Sequence, residues 1–287
     1  MDFPLHPLSP TEYAAVERGL GAKVLERHGI FWRQVRPFFF RPVLPTQEFS
    51  APEISRPFGW PNGFQFALAD GATANSQMNF LMLDGLRDYS GEQLGRRRKQ
   101  LVRSASQLFQ VRPLRNLREF QEQGFRAYRS FYNRTGYTHR ADRKDEKTFH
   151  AWAEKVFSHP KVILLGGYGA DGLVGVSRSY LVDGTLVYAT LFCETDALKK
   201  NLGELMFHEL RLLAASDPRI AEIFVRHYQN GNSLDQFYLL RGCKLVSKPA
   251  RLVLPAGIGA GIKFFLPRQH ALLTGKITGP APTAAPA

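Results

Sequence analysis

The pattern of hydrophobic and polar positions is clearest between residues 161 and 193. Three runs rich in β-branched and aromatic residues follow one another there, at 161–169, 173–182 and Thr185–Cys193. The dipeptides Asp171-Gly172 and Asp183-Gly184 separate them. An Asp-Gly pair between two such runs is typical of a tight hairpin turn, because both turn residues need positive φ. The pattern therefore predicts three consecutive antiparallel strands.

The stretch 185–243 continues this pattern into helices. A polar turn at 194–201 follows the third strand, and a helix at 202–215 presents Leu202, Met206, Leu210 and Leu213 along one face. A second strand at 221–227 then leads through a Gly-rich turn into a helix at 234–243. A helix that begins just after a strand offers free backbone N–H groups to an anion, so this stretch predicts a phosphate site.

The N-terminal third predicts a mixture of helices and strands. Ser9, Pro10 and Glu12 form a capping-box pattern for a helix that carries Tyr13, Val16, Leu20 and Val24 and ends near Gly29. Strands are predicted at 64–70 and 77–84, and an Arg-rich helix capped by Ser90 at 90–107. With a strand at 109–114, a helix started by Asn116, a helix at 147–158 and a last strand at 244–254, the chain is predicted to be an α+β protein with a mixed sheet.

Length and cysteine usage narrow the class of protein. The 287 residues suffice for one large or two small domains, and no run approaches the roughly 20 apolar residues that span a bilayer. The N-terminus lacks a basic start followed by an apolar run, so no secretory signal is predicted. Cys193 and Cys243 match no zinc or redox spacing, which predicts free thiols in a reducing cytoplasm and no metal.

The net charge of +13 is unevenly distributed. Residues 87–147 hold 16 Lys and Arg against 7 Asp and Glu, and the stretch 95–103 is the densest part. Such a region attracts RNA, anionic lipid headgroups or a polyphosphate cofactor. The alternative is a solvated Arg-rich helix face that pairs with acidic neighbours.

The order β-α-α-β-β-β-α-β-α-β over residues 109–254 resembles the GNAT acyltransferase fold. In that family a Gln/Arg-x-x-Gly-x-Gly/Ala loop after the fourth strand holds the acyl-CoA pyrophosphate. The matching segment here has Lys200 for Gln or Arg, Gly203 in place, and Leu205 for the final small residue. The resemblance implies acyl-CoA, such as acetyl-CoA, as donor. It implies the following cofactor-binding residues: Leu191, Cys193, Lys199, Lys200, Asn201, Leu202, Gly203 and Asn232.

The same resemblance assigns catalytic roles. Transfer to an amine needs a neutral amine, a polarised carbonyl and a protonated leaving group. Tyr238, in the pattern Tyr-x-x-x-Gly that ends the family's later helix, would protonate the leaving thiolate, and Glu194 would accept the amine proton through a water. The alternatives are a Tyr packed on the sheet, a solvated loop carboxylate and a loop of surface lysines. His208 and His227 are predicted to be structural.

A narrower resemblance is to the Fem-type aminoacyltransferases, in which two GNAT-like halves are joined through an Arg-rich helix. Residues 1–107 would be an N-terminal extension shorter than a full second half, 108–255 the GNAT-like domain, and 256–287 an apolar segment and a disordered tail. This resemblance implies aminoacyl-tRNA as an alternative donor, bound by residues 87–147. A small-molecule amine is the expected acceptor. A non-catalytic GNAT-like binding module is the third alternative, and residues 257–273 could be a helix on the core, a dimer contact or an interfacial anchor.

Overall fold

The structure is a computed structural model, which describes residues 4–50, 54, 57–69, 73–136 and 140–276. The predicted disordered tail lies outside the described residues from position 277 onward.

The chain alternates between helices and strands. The helices are α1 (Pro10–Gly19), α2 (Arg96–Ser106), α3 (Leu117–Thr135), α4 (Glu146–Phe157), α5 (Thr195–Lys199), α6 (Leu202–Ala215), α7 (Ser233–Leu239), α8 (Ile258–Phe265) and α9 (Pro267–Thr274). The strands are β1 (Val24–Arg27), β2 (Ile30–Arg36), β3 (Phe39–Pro42), β4 (Glu48–Phe49), β5 (Gly63–Leu68), β6 (Ser76–Leu83), β7 (Gln110–Pro113), β8 (Ile163–Gly169), β9 (Gly172–Val182), β10 (Thr185–Cys193), β11 (Glu222–His227) and β12 (Lys244–Val253).

Two compact units divide the chain, and the first comprises residues 4–8 and 84–223 of the described part. Strands β7, β8, β9 and β10 form an antiparallel meander in it. Phe192 packs edge-on against Tyr128 of α3, with ring centroids 5.4 Å apart, and Cys193 places its Sγ 3.9 Å from Met206 Sδ of α6. Because successive strand residues point to opposite faces, α3 and α6 cover opposite faces of this meander.

The predicted hairpins are present. Asp183 and Gly184 both have positive φ, 46° and 76°, as a two-residue turn between β9 and β10 requires. At the start of β9, Gly172 has φ of 101°, and the amide of Leu173 donates to Oε1 of Gln123 at 2.6 Å. The two turns therefore lie where the Asp-Gly pairs predicted them.

The second unit comprises residues 9–83 and 224–276 of the described part. Its strands follow the order β1, β2, β3, β5, β12, β6, and the end of β11 lies beside β6. An aromatic cluster that includes Trp32, Phe40, Phe64 and Phe66 forms its core. Strand β12 pairs with both β5 and β6, so this unit combines strands from the N-terminal and the C-terminal part of the chain. The segments 1–107, 108–255 and 256–287 remain a prediction.

Several predicted elements need correction. Helix α1 ends at Gly19, since Gly21 has φ of 86°, and Val24 begins a strand that pairs with β2. Helix α2 begins at Arg96 and not at Ser90, because Gly91 with φ of 87° starts a turn instead. The predicted polar turn at 194–201 contains the short helix α5, and residues 257–273 form two helices separated at Pro267.

Candidate active site

A β-bulge interrupts β10 halfway along its length. The pairing with β9 shifts register between Tyr188 and Thr190, so Ala189 is the extra residue. Ala189 is exposed and Thr190 and Leu191 are half-buried, whereas the rest of β10 is buried. Bulges are frequent next to active sites because they redirect side chains and release backbone groups from the ladder. Leu191, a predicted cofactor-binding residue, therefore lies where β10 is accessible.

Helix α3 holds the turn that follows β10. Arg126, Ser130 and Arg134 are spaced four residues apart and share one helix face. Arg126 Nε donates to Glu194 Oε1 at 2.6 Å, and Ser130 Oγ accepts from the Thr195 amide at 2.9 Å.

Arg134 adds hydrogen bonds from α3 to the end of β10. Its Nη1 donates to the Cys193 carbonyl at 3.2 Å and to Thr195 Oγ1 at 3.0 Å. Of the two carboxylate oxygens of the predicted base Glu194, Oε1 accepts the hydrogen bond from Arg126. A water would approach the other oxygen, Oε2. Sequence reasoning missed these three polar residues, although their spacing on an otherwise aromatic helix was visible.

Cys193 and Leu202 are packing residues. Both side chains are fully buried, and a Cβ at Gly167 or Gly175 would lie 2.8 Å from a Leu202 methyl group. The two glycines therefore let α6 approach the sheet closely. Burial raises the pKa of the Cys193 thiol to about 12, which keeps it protonated and unreactive. A role for either residue in donor binding remains a prediction. For Cys193, only the backbone groups could contact the donor, because the side chain is buried.

The start of α6 carries the predicted phosphate loop. Asn201 adopts left-handed φ of 67° and its side chain makes no capping hydrogen bond. Lys199 and Lys200 are exposed, and Lys199 Nζ lies 3.1 Å from Asp196 Oδ1. The backbone of this loop thus presents two lysines beside an α-helix N-terminus.

An acidic residue occupies the first turn of the same helix. Glu204 is 8% exposed, and its Oε1 lies 2.7 Å from Arg98 Nη1 of α2. A carboxylate there is stabilised by the helix dipole and competes with an incoming phosphate for it. The sequence did not reveal the pair, because its partners are 106 positions apart.

Tyr238 and Asn232 belong to the second unit. Tyr238 is buried and packs edge-on against Phe237, with ring centroids 5.0 Å apart. Asn232 caps α7, because its Oδ1 accepts from the Asp235 amide at 2.9 Å. The acid role of Tyr238 and the donor-binding role of Asn232 remain predictions.

The two histidines lie in packed surroundings. His208 shares a 2.7 Å hydrogen bond with Tyr89, and burial together with Arg211 lowers its pKa. Burial, followed by the charge of Arg41, lowers the pKa of His227 well below its ordinary value. Both are therefore neutral near pH 7. Among the described residues, no cluster of His, Cys, Asp and Glu could hold a metal ion, and no helix is long and apolar enough to cross a bilayer.

Known proteins resemble this chain in structure but not detectably in sequence. No family model and no curated protein matches the sequence. The chain is similar to the C-terminal domain of a protein described as a lysylphosphatidylglycerol synthetase from Agrobacterium fabrum, with 10% identity, a TM-score of 0.58, and 93% of this chain and 94% of that chain covered. It is similar to L-PGS from Bacillus licheniformis, with 12% identity, a TM-score of 0.55 and coverage of 96% and 99%. FemX matches with 8% identity, a TM-score of 0.57 and coverage of 89% and 93%. The chain thus has the mixed α/β, GNAT-like and Fem-like fold that the sequence predicted.

Proposed function

We propose that the protein is a Fem-type transferase that moves an aminoacyl group from aminoacyl-tRNA to an amine. At a coarser level, the fold neighbours are transferases of the GNAT and Fem type. The choice of donor rests on a surface of exposed arginines that runs through α2, β7 and the turn before α3. Its members are Arg96, Arg97, Arg103, Arg112 and Arg115.

The arginine surface has the chemistry of a nucleic-acid site. Guanidinium groups bind phosphates through paired N–H donors, and each neutralised phosphate releases counterions into solution. Arg112 also stacks on the Tyr168 ring at 4.0 Å, which fixes its position. Five exposed arginines in one compact unit suit the backbone of a folded RNA better than a single small anion.

The start of α6 supports the same choice. A CoA pyrophosphate bound at the amides of Leu202 and Gly203 would lie beside the buried carboxylate of Glu204. Glu204 is already paired with Arg98, so the carboxylate and an incoming pyrophosphate would compete for the same guanidinium group and the same helix N-terminus. An aminoacyl-tRNA places no pyrophosphate at this helix.

The proposed reaction uses the predicted catalytic residues. The amine nitrogen of the acceptor bonds to the ester carbonyl carbon of the donor, and the bond to the ribose oxygen breaks. A water between the amine and the second oxygen of Glu194 takes the amine proton. The departing ribose oxygen takes up a proton, and the assignment of Tyr238 as its donor remains what the family resemblance predicts. The accessible bulge at Ala189–Leu191 would offer backbone groups to the acyl carbonyl.

Binding to an unfractionated aminoacyl-tRNA pool, followed by fluorescence anisotropy over a series of salt concentrations, tests the donor. We expect affinity to fall steeply with salt. The variant Arg96→Gln/Arg97→Gln/Arg103→Gln should bind at least about tenfold more weakly, and its salt slope should be smaller by about one for each phosphate interaction removed. Lys23→Gln/Arg27→Gln, which removes two exposed charges elsewhere, is the control.

Two outcomes would overturn the proposal. One is indifference of the wild-type protein to tRNA. The other is an equal decrease in affinity in the control variant, which would indicate a general charge effect and not a site. If cells that need the protein also tolerate Tyr238→Phe combined with Glu194→Gln, the non-catalytic alternative is correct.

Acyl-CoA remains a second candidate donor, because one observation favours it. Asn201 is left-handed and gives α6 no side-chain cap, and the exposed Lys199 and Lys200 precede this helix start. Calorimetry with acetyl-CoA should then detect binding that Glu204→Gln strengthens, since the variant removes the competing charge, and that Gly203→Glu weakens. No heat with either wild type or Glu204→Gln would eliminate this candidate.

A further inference from the structure

The C-terminal helices expose an unusual amount of aromatic surface. Phe264 and Phe265, at the end of α8, are 80% and 76% exposed, and the neighbouring Leu266 and Ile258 are exposed as well. Large apolar side chains grouped in this way are costly in water and mark a surface that contacts something else. Helix α8 has 8 residues, and at about 1.5 Å per residue its length is roughly 12 Å, too short to span a bilayer.

Two further exposed aromatics lie at the end of the sheet where α8 begins. Trp60 is 80% exposed and Phe38 is 59% exposed. The Gly63 amide donates to the Phe38 carbonyl at 2.8 Å, and a Cβ on Gly63 would lie 3.3 Å from a methyl group of Leu254. Trp60 is only three residues before Gly63, and a Cβ on Gly259 of α8 would lie 3.6 Å from a methyl group of the same Leu254. We call Phe38, Trp60 and residues 258–268 the aromatic end of the second unit.

The charge of the C-terminal segment, which contributes residues 258–268 to the aromatic end, has one sign. After Asp235 the sequence contains no Asp or Glu, whereas it contains seven Lys and Arg. Lys263 and Arg268 flank the exposed phenylalanines and are themselves exposed, as is Lys276. This surface therefore complements a negative partner.

We propose that the aromatic end docks the protein on the interface of an anionic lipid bilayer. A short helix with exposed phenylalanines and flanking cations lies in the plane of such an interface, with its apolar side chains below the headgroups. Tryptophan favours the same depth because its ring is amphipathic. Lys263 and Arg268 add attraction to anionic headgroups.

A second copy of the chain fits this surface less well. In a two-fold dimer the same patch meets itself, so the cations Lys263 and Arg268 of both copies would be brought into one interface. The like charges oppose that contact, whereas a bilayer supplies both the apolar layer and the anions. The inference does not depend on which acyl donor the protein uses.

Tryptophan fluorescence offers a direct test with the full chain. The protein has 3 tryptophans, and Trp32 and Trp152 are buried while Trp60 is exposed. Titration with vesicles of phosphatidylcholine and phosphatidylglycerol in equal proportion should shift the emission to shorter wavelength. Trp60→Phe should abolish the shift while binding by co-sedimentation is largely retained.

Matched variants separate apolar from charge effects. Phe264→Ser/Phe265→Ser should weaken vesicle partition by at least about tenfold, because two aromatic side chains lose their apolar environment. Lys263→Gln/Arg268→Gln should weaken it by about fivefold per charge on anionic vesicles, with little change on pure phosphatidylcholine. Leu108→Ser, which changes an exposed leucine outside the aromatic end, should bind like the wild type. Binding of tRNA should be unchanged in the phenylalanine variant, so failure here and failure of the proposed donor can be told apart.

Three results would overturn the inference. The first is the absence of partition into anionic vesicles. The second is partition that Phe264→Ser/Phe265→Ser leaves unchanged. The third is concentration-dependent dimerisation without vesicle binding that the same variant abolishes, which would assign the surface to a second copy of the chain.

Discussion

Helices α6 and α7 follow consecutive strands and begin with similar sequences, yet their first turns are closed differently. Each starts after an asparagine, Asn201 or Asn232, with an acidic residue three positions later, Glu204 or Asp235. Asn232 is extended and caps its own helix, whereas Asn201 is left-handed and makes no side-chain cap.

The acidic residues of the two helix starts also differ in whether their partners are local or distant. Asp235 is fully buried, and its Oδ2 accepts from the amides of Gln229 at 2.7 Å and Gly231 at 3.0 Å. Glu204 turns instead to Arg98 of another helix. The α7 start is therefore satisfied by its own loop, while the α6 start is left to long-range partners or a ligand. Similar sequence at a helix start does not establish a ligand site. The conformation of the cap residue determines whether the first amides of the helix are capped by its side chain.

The largest expected effect comes from Asp235→Ala. The substitution removes the acceptor for two part-buried amides and leaves Arg226, whose Nε lies 3.5 Å from Asp235 Oδ1, without its carboxylate partner. We expect a loss of about 3 kcal/mol in the free energy of unfolding, measured by urea denaturation. Asp196→Ala, an exposed acidic residue beside α6, should change stability by less than about 0.5 kcal/mol. Equal effects of the two substitutions would contradict the distinction between the helix starts.

A smaller effect is expected from the two asparagines. Asn232→Ala removes a side-chain cap and should cost about 1 kcal/mol. Asn201→Gly should cost nothing or stabilise slightly, because glycine adopts left-handed φ without steric strain. Thermal unfolding of both variants checks this. A large loss in Asn201→Gly would show that the Asn201 side chain has a role in the fold.

The smallest expected effect is the pH dependence of stability that comes from Cys193, which packs on α6. Burial raises the pKa of the Cys193 thiol above the value of about 8.5 in the unfolded chain. Its contribution to stability is therefore complete below about pH 8.5 and is lost as the pH rises towards 12.

Urea denaturation at pH 7 and pH 10 of the wild type and Cys193→Ala measures that contribution. The wild type should lose more stability between the two pH values than the variant does. A thiol reagent should also modify Cys193 only under unfolding conditions. Rapid labelling of native Cys193 would contradict its burial.

Local signals in the sequence predicted local structure well. The Asp-Gly pairs predicted the hairpins around β9, and the capping box from Ser9 to Glu12 is present, with both of its hydrogen bonds formed. The end of α1 was predicted too late, because Val24 fits both a helical spacing and a strand. The bulge at Ala189 has no residue type that announces it.

Distant partners explain the rest of what the sequence did not reveal. Three contacts join residues far apart in sequence: the Arg98–Glu204 ion pair, the hydrogen bond from Arg126 to Glu194, and the pairing of β12 with N-terminal strands. Hydrophobic periodicity predicts which face of an element is buried, but it does not say which element covers that face. The fold class could therefore be predicted, whereas the composition of the two units and the surroundings of the candidate site could not.

The position of β12 between β5 and β6 has a consequence for biosynthesis. These two strands follow each other along the chain, yet the slot between them is filled by a strand that starts at Lys244, about 160 residues after the end of β6. At a synthesis rate of about 5–20 residues per second, the slot stays open for roughly 10–30 s on the ribosome. During that interval two strand edges with unpaired N–H and C=O groups are accessible to other chains. The first unit, whose meander is complete before β12 is made, can fold while the second waits for the end of the chain.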